Sequence, residues 1–138
     1  NLLSVFCEDI LTFPLQAHLE SKQKTKVIAN LPYHLTTPIL TQLAPLTTLF
    51  SSLTVMVQEE VARRLTAQPG TSDYSSLTVF VRFYTEPVYA FTVSHHCFYP
   101  APRVNSAVVV LRLRDPPLNS EVAQDFFRLT RTAFEHRR

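Results

Sequence analysis

The stretch KVIANLPY, residues 26–33, decides the expected fold. Lys26–Asn30 is short, apolar and β-branched, which is typical of a buried strand. Leu31-Pro32 ends that strand, because proline has no backbone N–H to donate to a sheet. Ligands of open α/β sheets bind beyond the carboxyl ends of the strands. The sequence therefore predicts a strand followed directly by a binding site at Asn30, Pro32 and Tyr33.

Apolar runs and amphipathic patterns alternate on both sides of this strand, which predicts an α/β sheet that begins parallel. The further strands are expected at Val5–Ile10, Leu53–Val57, Pro87–Val93 and Asn105–Arg114. Since the last two lie close together in the chain, we expect them to form an antiparallel edge pair. Helices are expected from Thr36 or Thr37, with Pro38 at the first position, to about Leu43, over Gln58–Ala67, and from Ser120.

Two further expectations concern the secondary structure of one segment and the apolar face of one helix. Ser75–Tyr84 has helical spacing of its apolar residues but β-branched composition, so helix and strand both stay open. The helix from Ser120, capped by Asn119 or Ser120, is expected to present one apolar face. That face is predicted to consist of Val122, Phe126, Leu129 and Ala133.

Composition restricts the class of protein. The chain has 138 residues, of which 46% are hydrophobic and 17% charged, as in one globular domain or part of one. Its single glycine, Gly70, excludes a P-loop and a G-x-G-x-x-G nucleotide fingerprint. No apolar run reaches ~18 residues and no signal-peptide pattern is seen, so we expect no contact with a membrane.

The cysteines and histidines do not predict a metal site. Cys7 and Cys97 match no metal-ligand spacing, and we expect reduced thiols in a cytoplasmic protein. Adjacent residues of an extended segment point to opposite faces, so His95-His96-Cys97 is a poor ligand set.

Positive charge is concentrated late in the chain. Residues 1–99 hold six Lys/Arg and seven Asp/Glu, whereas residues 100–138 hold seven Arg and four Asp/Glu. Arginine binds phosphate in a bidentate manner, so a nucleic-acid partner is compatible with this basic end. A solvated helix face accounts for it more simply.

The residues Asn30-Leu31-Pro32-Tyr33 suit transfer to an exocyclic amine of a base. Such an amine is a poor nucleophile, because its lone pair is delocalised into the ring. Acceptors on its N–H groups, the Asn30 side chain and the Leu31 carbonyl, would free the lone pair, and Tyr33 would stack on the base. By itself, however, the tetrapeptide also describes a strand-ending turn with a packed tyrosine.

Other segments match one known family in the same order. They are Asp9–Phe13, Asn30–Tyr33 with Thr37–Leu40, Gln58–Leu65, Pro69-Gly70 with Asp73-Tyr74, Phe98–Val108, and Phe127–Arg138. The chain thus resembles the RsmA/KsgA ribosomal RNA adenine dimethyltransferases, which are relatives of the Erm resistance methylases. This resemblance covers nearly the whole chain.

The resemblance implies a Rossmann-like class I methyltransferase sheet and two methyl transfers from S-adenosylmethionine to each of two adjacent adenosines. Those adenosines lie near the 3′ end of small-subunit ribosomal RNA, and the partner is the immature small subunit. The implied catalytic residues are Asn30, Leu31, Pro32, Tyr33 and Phe98, and the implied cofactor-binding residues are Asp9, Ile10 and Asn30. The implied phosphate contacts are Arg103, Arg131, Arg137 and Arg138. No metal is implied.

The family's glycine-rich cofactor loop and its acidic ribose-binding residue have no counterpart here. We therefore expect a fragment: residues 1–114 from the later part of the sheet domain, a linker at 115–119, and the first helix of a helical RNA-binding domain at 120–138. The fragment alone is expected to be inactive and to bind cofactor weakly, and the full-length protein to be a monomer.

Three alternatives stay open. An Erm-type methylase would act on large-subunit RNA, but Thr37-Pro38 and Gln58–Leu65 resemble the RsmA/KsgA branch more. A non-catalytic ribosome-assembly or nucleic-acid-binding relative would not need amine acceptors at Asn30. A methylase of free DNA would lack the run Phe98–Val108.

Overall fold

The structure, a computed structural model, describes residues 2–19 and 22–136. Within them the chain forms one sheet of four strands, flanked by helices. The strands are β1 Thr25–Asn30, β2 Phe50–Gln58, β3 Thr85–Val93 and β4 Ser106–Leu113. The helices are α1 Leu15–His18, α2 Thr36–Leu43, α3 Glu59–Thr66, α4 Ser76–Tyr84 and α5 Ser120–Glu135.

The strand order is β1-β2-β4-β3. β1 and β2 are parallel, whereas β4 runs antiparallel to both β2 and β3. The predicted α/β sheet, with parallel strands and an antiparallel pair at one edge, is confirmed. This topology brings the ends of β1, β2 and β3 and the start of β4 to the same edge, where Ser106 lies opposite both Gln58 and Val93.

The core lies between the sheet and the helices on one of its faces. Side chains alternate across a strand, so every second residue of β2 and β4 is buried. These residues are Leu53, Val55, Val57, Ala107, Val109 and Leu111. Helix α2 contributes Ile39, Leu40 and Leu43, which share one helical face. In β1, Ile28 is 85% exposed, since the opposite face of this strand is not covered by any described residue.

The segment that sequence patterns left open is helical. Ser75 caps α4 through a capping box, in which its side chain accepts a hydrogen bond from the Thr78 N–H and Thr78 Oγ1 accepts one from the Ser75 N–H. Thr78 Oγ1 also donates to the Arg64 carbonyl, 2.6 Å away, at the end of α3. These bonds outweigh the β-branched composition, because they satisfy the first N–H groups of the helix.

Three expectations of the sequence analysis were wrong. Val5–Ile10 forms no strand, because an apolar run becomes a strand only when a neighbour pairs with it, and no described strand does so. Helix α2 begins at Thr36, so Pro38 is its third residue and not its first. In α5, the predicted apolar face is wrong except at Phe126, because Val122 and Leu129 are 48% and 69% exposed and Ala133 is exposed as well.

The packed face of α5 is aromatic. Phe126 and Phe127 contact the aromatic residues Phe80 and Phe83 of α4, and Ala123 is buried. The predicted Asn119 cap is confirmed, since its Oδ1 accepts from the Val122 N–H at 3.0 Å. Residues 115–119 are exposed, and the division into two domains at this point stays a prediction.

No helix in residues 2–19 and 22–136 has the length and apolar character needed to cross a membrane. Cys7 and Cys97 are exposed free thiols.

Candidate active site

An open cavity of about 310 Å³ lies at the sheet edge where β1 ends. Its lining residues come from two distant segments of the chain, and they are Asn30, Leu31, Pro32, Tyr33, Phe98, Tyr99, Pro100 and Pro102. The five residues predicted as catalytic are all among them. The sheet topology explains this convergence, because the loop between β3 and β4 leaves and re-enters the sheet at that edge.

Asn30 and Leu31, which line this cavity, each carry an acceptor oxygen. The Leu31 N–H donates to the Met56 carbonyl at 3.1 Å, which fixes the peptide against β2. Neither the Leu31 carbonyl nor the Asn30 side chain makes a hydrogen bond within the described ranges 2–19 and 22–136. Pro32, with φ −58°, turns the chain into a short 3₁₀ turn over Tyr33–Leu35.

The Tyr33 ring is anchored by a residue at the start of β4. Its hydroxyl lies 2.8 Å from Ser106 Oγ, a hydrogen bond between residues 73 positions apart in the chain. Ser106 is fully buried at the first position of β4. Sequence reasoning missed Ser106 as a site residue, although it belongs to the quoted run Phe98–Val108.

The loop that carries Phe98 is tied down by Asn105, which sequence reasoning also missed. Asn105 Oδ1 accepts from the His95 N–H and lies 3.0 Å from His95 Nδ1. The Asn105 carbonyl accepts from the Glu59 N–H at the start of α3, at 3.0 Å. Phe98 is half-buried, and the Tyr99–Pro100 peptide bond that follows it is cis.

The residues predicted to bind the cofactor are not brought together as a set. Asn30 lines the cavity, whereas Asp9 and Ile10 do not. Asp9 lies in an exposed turn in which its Oδ1 accepts from the Leu11 N–H at 2.9 Å. Ile10 lines a separate groove beside β1, together with Val27 and Ile28.

The predicted arginines also lie outside the cavity. Arg103 lines a polar pocket with Glu59, Arg63 and His95. Arg131 lines a cleft formed by α2, α4 and α5. In the described part of the chain neither arginine has an acidic partner. Arg137 and Arg138 lie outside the described residues.

No cluster of three or more metal-ligating side chains occurs in the described ranges. The rings of His95 and His96 have centroids 4.0 Å apart and planes tilted by 38°, but His95 Nδ1 is engaged with Asn105.

Comparison with known proteins shows what this arrangement is similar to. Two curated relatives are named ribosomal RNA small subunit methyltransferase A. The protein of Protochlamydia amoebophila is 64% identical over 140 residues, covering 99% of this chain and 49% of that protein. The protein of Chlamydia muridarum is 51% identical, covering 94% of this chain and 48% of that protein. The chain thus spans about half the length of the curated relatives it matches.

Two solved structures share the fold. A dimethyladenosine transferase from Plasmodium falciparum matches with a TM-score of 0.81 at 29% identity, over 100% of this chain and 48% of that one. The 23S rRNA methyltransferase ErmE matches with a TM-score of 0.70 at 26% identity, over 92% and 49%. These matches confirm the expected methyltransferase fold. The family model for ribosomal RNA adenine dimethylase matches residues 2–138, and the chain therefore belongs to that family.

Proposed function

We propose that the full-length protein dimethylates two adjacent adenosines near the 3′ end of small-subunit ribosomal RNA. The methyl donor in this proposal is S-adenosylmethionine, and the protein acts as a monomer on the immature small subunit in the cytoplasm. The observation that carries the proposal is that Asn30, Leu31, Pro32, Tyr33 and Phe98 line one cavity.

The free acceptors after β1 suit an exocyclic amine. The Asn30 side-chain oxygen and the Leu31 carbonyl each accept one N–H of the target amine, which draws its nitrogen toward tetrahedral geometry and frees the lone pair. The hydrogen bond from the Leu31 N–H to the Met56 carbonyl fixes the Asn30–Leu31 peptide, directly before this carbonyl, ahead of substrate binding. Acceptors placed in advance cost little reorganisation during the reaction.

The aromatic residues suit a flipped base. Tyr33 and Phe98 line the same open cavity from different segments, and stacking on aromatic side chains contributes roughly 1–3 kcal/mol per base. An adenine taken out of its RNA stack recovers in this way part of the stacking energy it loses.

The residues present fit the adenine end of S-adenosylmethionine. Among the described residues, only Oδ1 of the Asp9 carboxylate accepts a hydrogen bond, from the Leu11 N–H, so its second oxygen can accept from the cofactor's adenine amine. Ile10 is 37% exposed and offers an apolar surface next to it. When bound, the cofactor supplies a methyl group activated by its sulfonium. Weak or absent cofactor binding by the 138-residue chain alone stays a prediction, which calorimetric titration with S-adenosylmethionine tests, and its inactivity stays a prediction as well.

The arginines supply the proposed RNA contacts. Arg103 and Arg131 line two separate pockets, neither has an acidic partner among the described residues, and arginine binds phosphate well. Arg137 and Arg138 are assigned the same role from the resemblance alone. Small-subunit RNA is favoured over large-subunit RNA because the similar curated proteins carry that name.

The experiment uses the full-length protein with labelled S-adenosylmethionine. Small subunits that lack dimethyladenosine and large subunits are incubated in parallel with wild type, Asn30→Ala and the control Gln23→Ala, which removes an exposed amide outside the cavity. We expect label in the small-subunit RNA only, a rate about a hundredfold lower in Asn30→Ala, and no change in Gln23→Ala.

Label in the large subunit would instead support an Erm-type methylase. Binding to subunits without any transfer of label would support a non-catalytic assembly factor. Equal rates for wild type and Asn30→Ala would contradict the role of Asn30.

A further inference from the structure

We propose that Asn105 and Ser106, two consecutive residues at the start of β4, are positioning residues that set the separation between Tyr33 and Phe98. The inference rests on the proposed function, since it concerns the two rings between which the target base would stack. Neither residue lines the cavity. Ser106 is hydrogen-bonded to the Tyr33 hydroxyl, and Asn105 is linked by hydrogen bonds through His95 to the Phe98 backbone.

Ser106 controls the Tyr33 side. Its Oγ lies 2.8 Å from the Tyr33 hydroxyl, and its side chain is fully buried. Its backbone is fixed from both sides, because Ser106 lies opposite Gln58 in β2 and Val93 in β3. The tyrosine hydroxyl is therefore anchored to an immobile point in the centre of the sheet edge.

Asn105 controls the Phe98 side. Its Oδ1 accepts from the His95 N–H at 3.0 Å and from His95 Nδ1 at 3.0 Å. An amide oxygen is only an acceptor, so Nδ1 is the protonated nitrogen of His95. The Phe98 N–H in turn donates to the His95 carbonyl at 3.3 Å. A continuous series of hydrogen bonds thus runs from Asn105 through His95 to Phe98.

The two connections start from neighbouring residues, Asn105 directly before β4 and Ser106 at its first position. The Asn105 carbonyl also accepts from the Glu59 N–H, which fixes this strand end to α3. The separation of the two rings is consequently set by the sheet and not by the flexibility of either loop. Breaking either connection should weaken stacking of the target base and leave cofactor binding unchanged.

The first test compares Ser106→Ala, Tyr33→Phe and the double variant in the full-length protein. Both single variants remove the same hydrogen bond and keep the Tyr33 ring. We expect each to lower kcat/KM for small-subunit RNA by about tenfold, which corresponds to about 1.4 kcal/mol, with the KM for S-adenosylmethionine unchanged. The double variant should also lose about tenfold and not a hundredfold, because only one bond is lost.

Tyr89→Phe is the matched control. It removes a hydrogen bond between a tyrosine hydroxyl and Thr92 Oγ1, 2.6 Å apart, on the exposed part of β3. We expect it to behave as wild type. If Ser106→Ala does not fold, Tyr33→Phe still reports on the bond.

The second test replaces Asn105. Asn105→Asp keeps an acceptor oxygen for both His95 donors, whereas Asn105→Leu has no acceptor for either donor. We expect activity to be near wild type in Asn105→Asp and at least tenfold lower in Asn105→Leu. With 2-aminopurine at the target position of the RNA, we expect binding to quench fluorescence strongly in wild type and weakly in Asn105→Leu and Ser106→Ala.

The outcomes separate this inference from the proposed function. If wild type methylates small-subunit RNA and the variants do so equally well, the positioning roles are wrong and the function stands. Losses that affect cofactor and RNA affinity equally would also overturn them, since they indicate a general loss of structure. If wild type transfers no methyl group, the proposed function itself fails.

Discussion

Phe127 makes most of the aromatic contacts described between α5 and α4, and its truncation to alanine tests how strongly they hold the helix. The ring of Phe127 has centroid distances of 5.1 Å to Phe80, 4.9 Å to Phe83 and 6.0 Å to Tyr84. Truncating a fully buried phenylalanine costs about 3–5 kcal/mol, and aromatic pairs contribute about 0.5–1.5 kcal/mol each. Because Phe127 is half-buried, we expect Phe127→Ala to destabilise the docked helix by about 2 kcal/mol.

Hydrogen exchange of the α5 amides in the 138-residue chain measures this directly. A loss of about 2 kcal/mol raises the open population roughly thirtyfold, with a matching fall in protection. Leu129→Ala is the control, since Leu129 is 69% exposed on the same helix, and it should change protection by less than about twofold. Equal effects of the two substitutions would contradict the conclusion that α5 packs through its aromatic residues, and would favour the packed face expected from the sequence.

Three further predictions concern stability. Gly70→Ala should lower the free energy of unfolding, measured by thermal denaturation, by about 1 kcal/mol. Gly70 has φ +89° and no atom of the described residues lies within 4 Å of an added Cβ, so the effect comes from backbone strain. Thr78→Val should lower the free energy of unfolding in urea by about 2 kcal/mol, since the Arg64 carbonyl loses its donor. Thr132→Val, at an exposed position, is the control and should change this free energy little. Burial raises the pKa of Tyr84, so its contribution to stability is complete below about pH 10 and is lost as pH rises through the folded-state pKa. Denaturation midpoints between about pH 9 and 11 should therefore fall more in wild type than in Tyr84→Phe.

The parts of the fold that were predictable depend on local patterns. The strand before Asn30 and the helix capped by Asn119 follow from β-branched runs, proline and capping residues, and both occur where expected. The face of α5 was not predictable from periodicity, because two overlapping apolar stripes occur on the helix. Aromatic partners in α4 select the stripe with Phe126 and Phe127.

In the site, too, features that depend on adjacent residues could be predicted, whereas features that depend on distant contacts could not. The residue types of Asn30–Tyr33 predict acceptors and a stacking ring because they depend on adjacent positions alone. Phe98 lies next to that tetrapeptide because of the order of the strands. The prediction that it would do so came from the family resemblance and not from residue spacing. Ser106 and Asn105 were missed because their roles depend on hydrogen bonds to Tyr33 and His95 across the sheet edge.

The most direct test of the central claim, that Asn30 and its neighbours present an adenine amine for methylation, is mass spectrometry of small-subunit ribosomal RNA. The RNA is taken from cells that express only wild-type protein or only Asn30→Ala. We predict two adjacent dimethyladenosines near the 3′ end with wild type and unmodified adenosines at both positions with Asn30→Ala. Full dimethylation with Asn30→Ala, or none with wild type, would contradict the account.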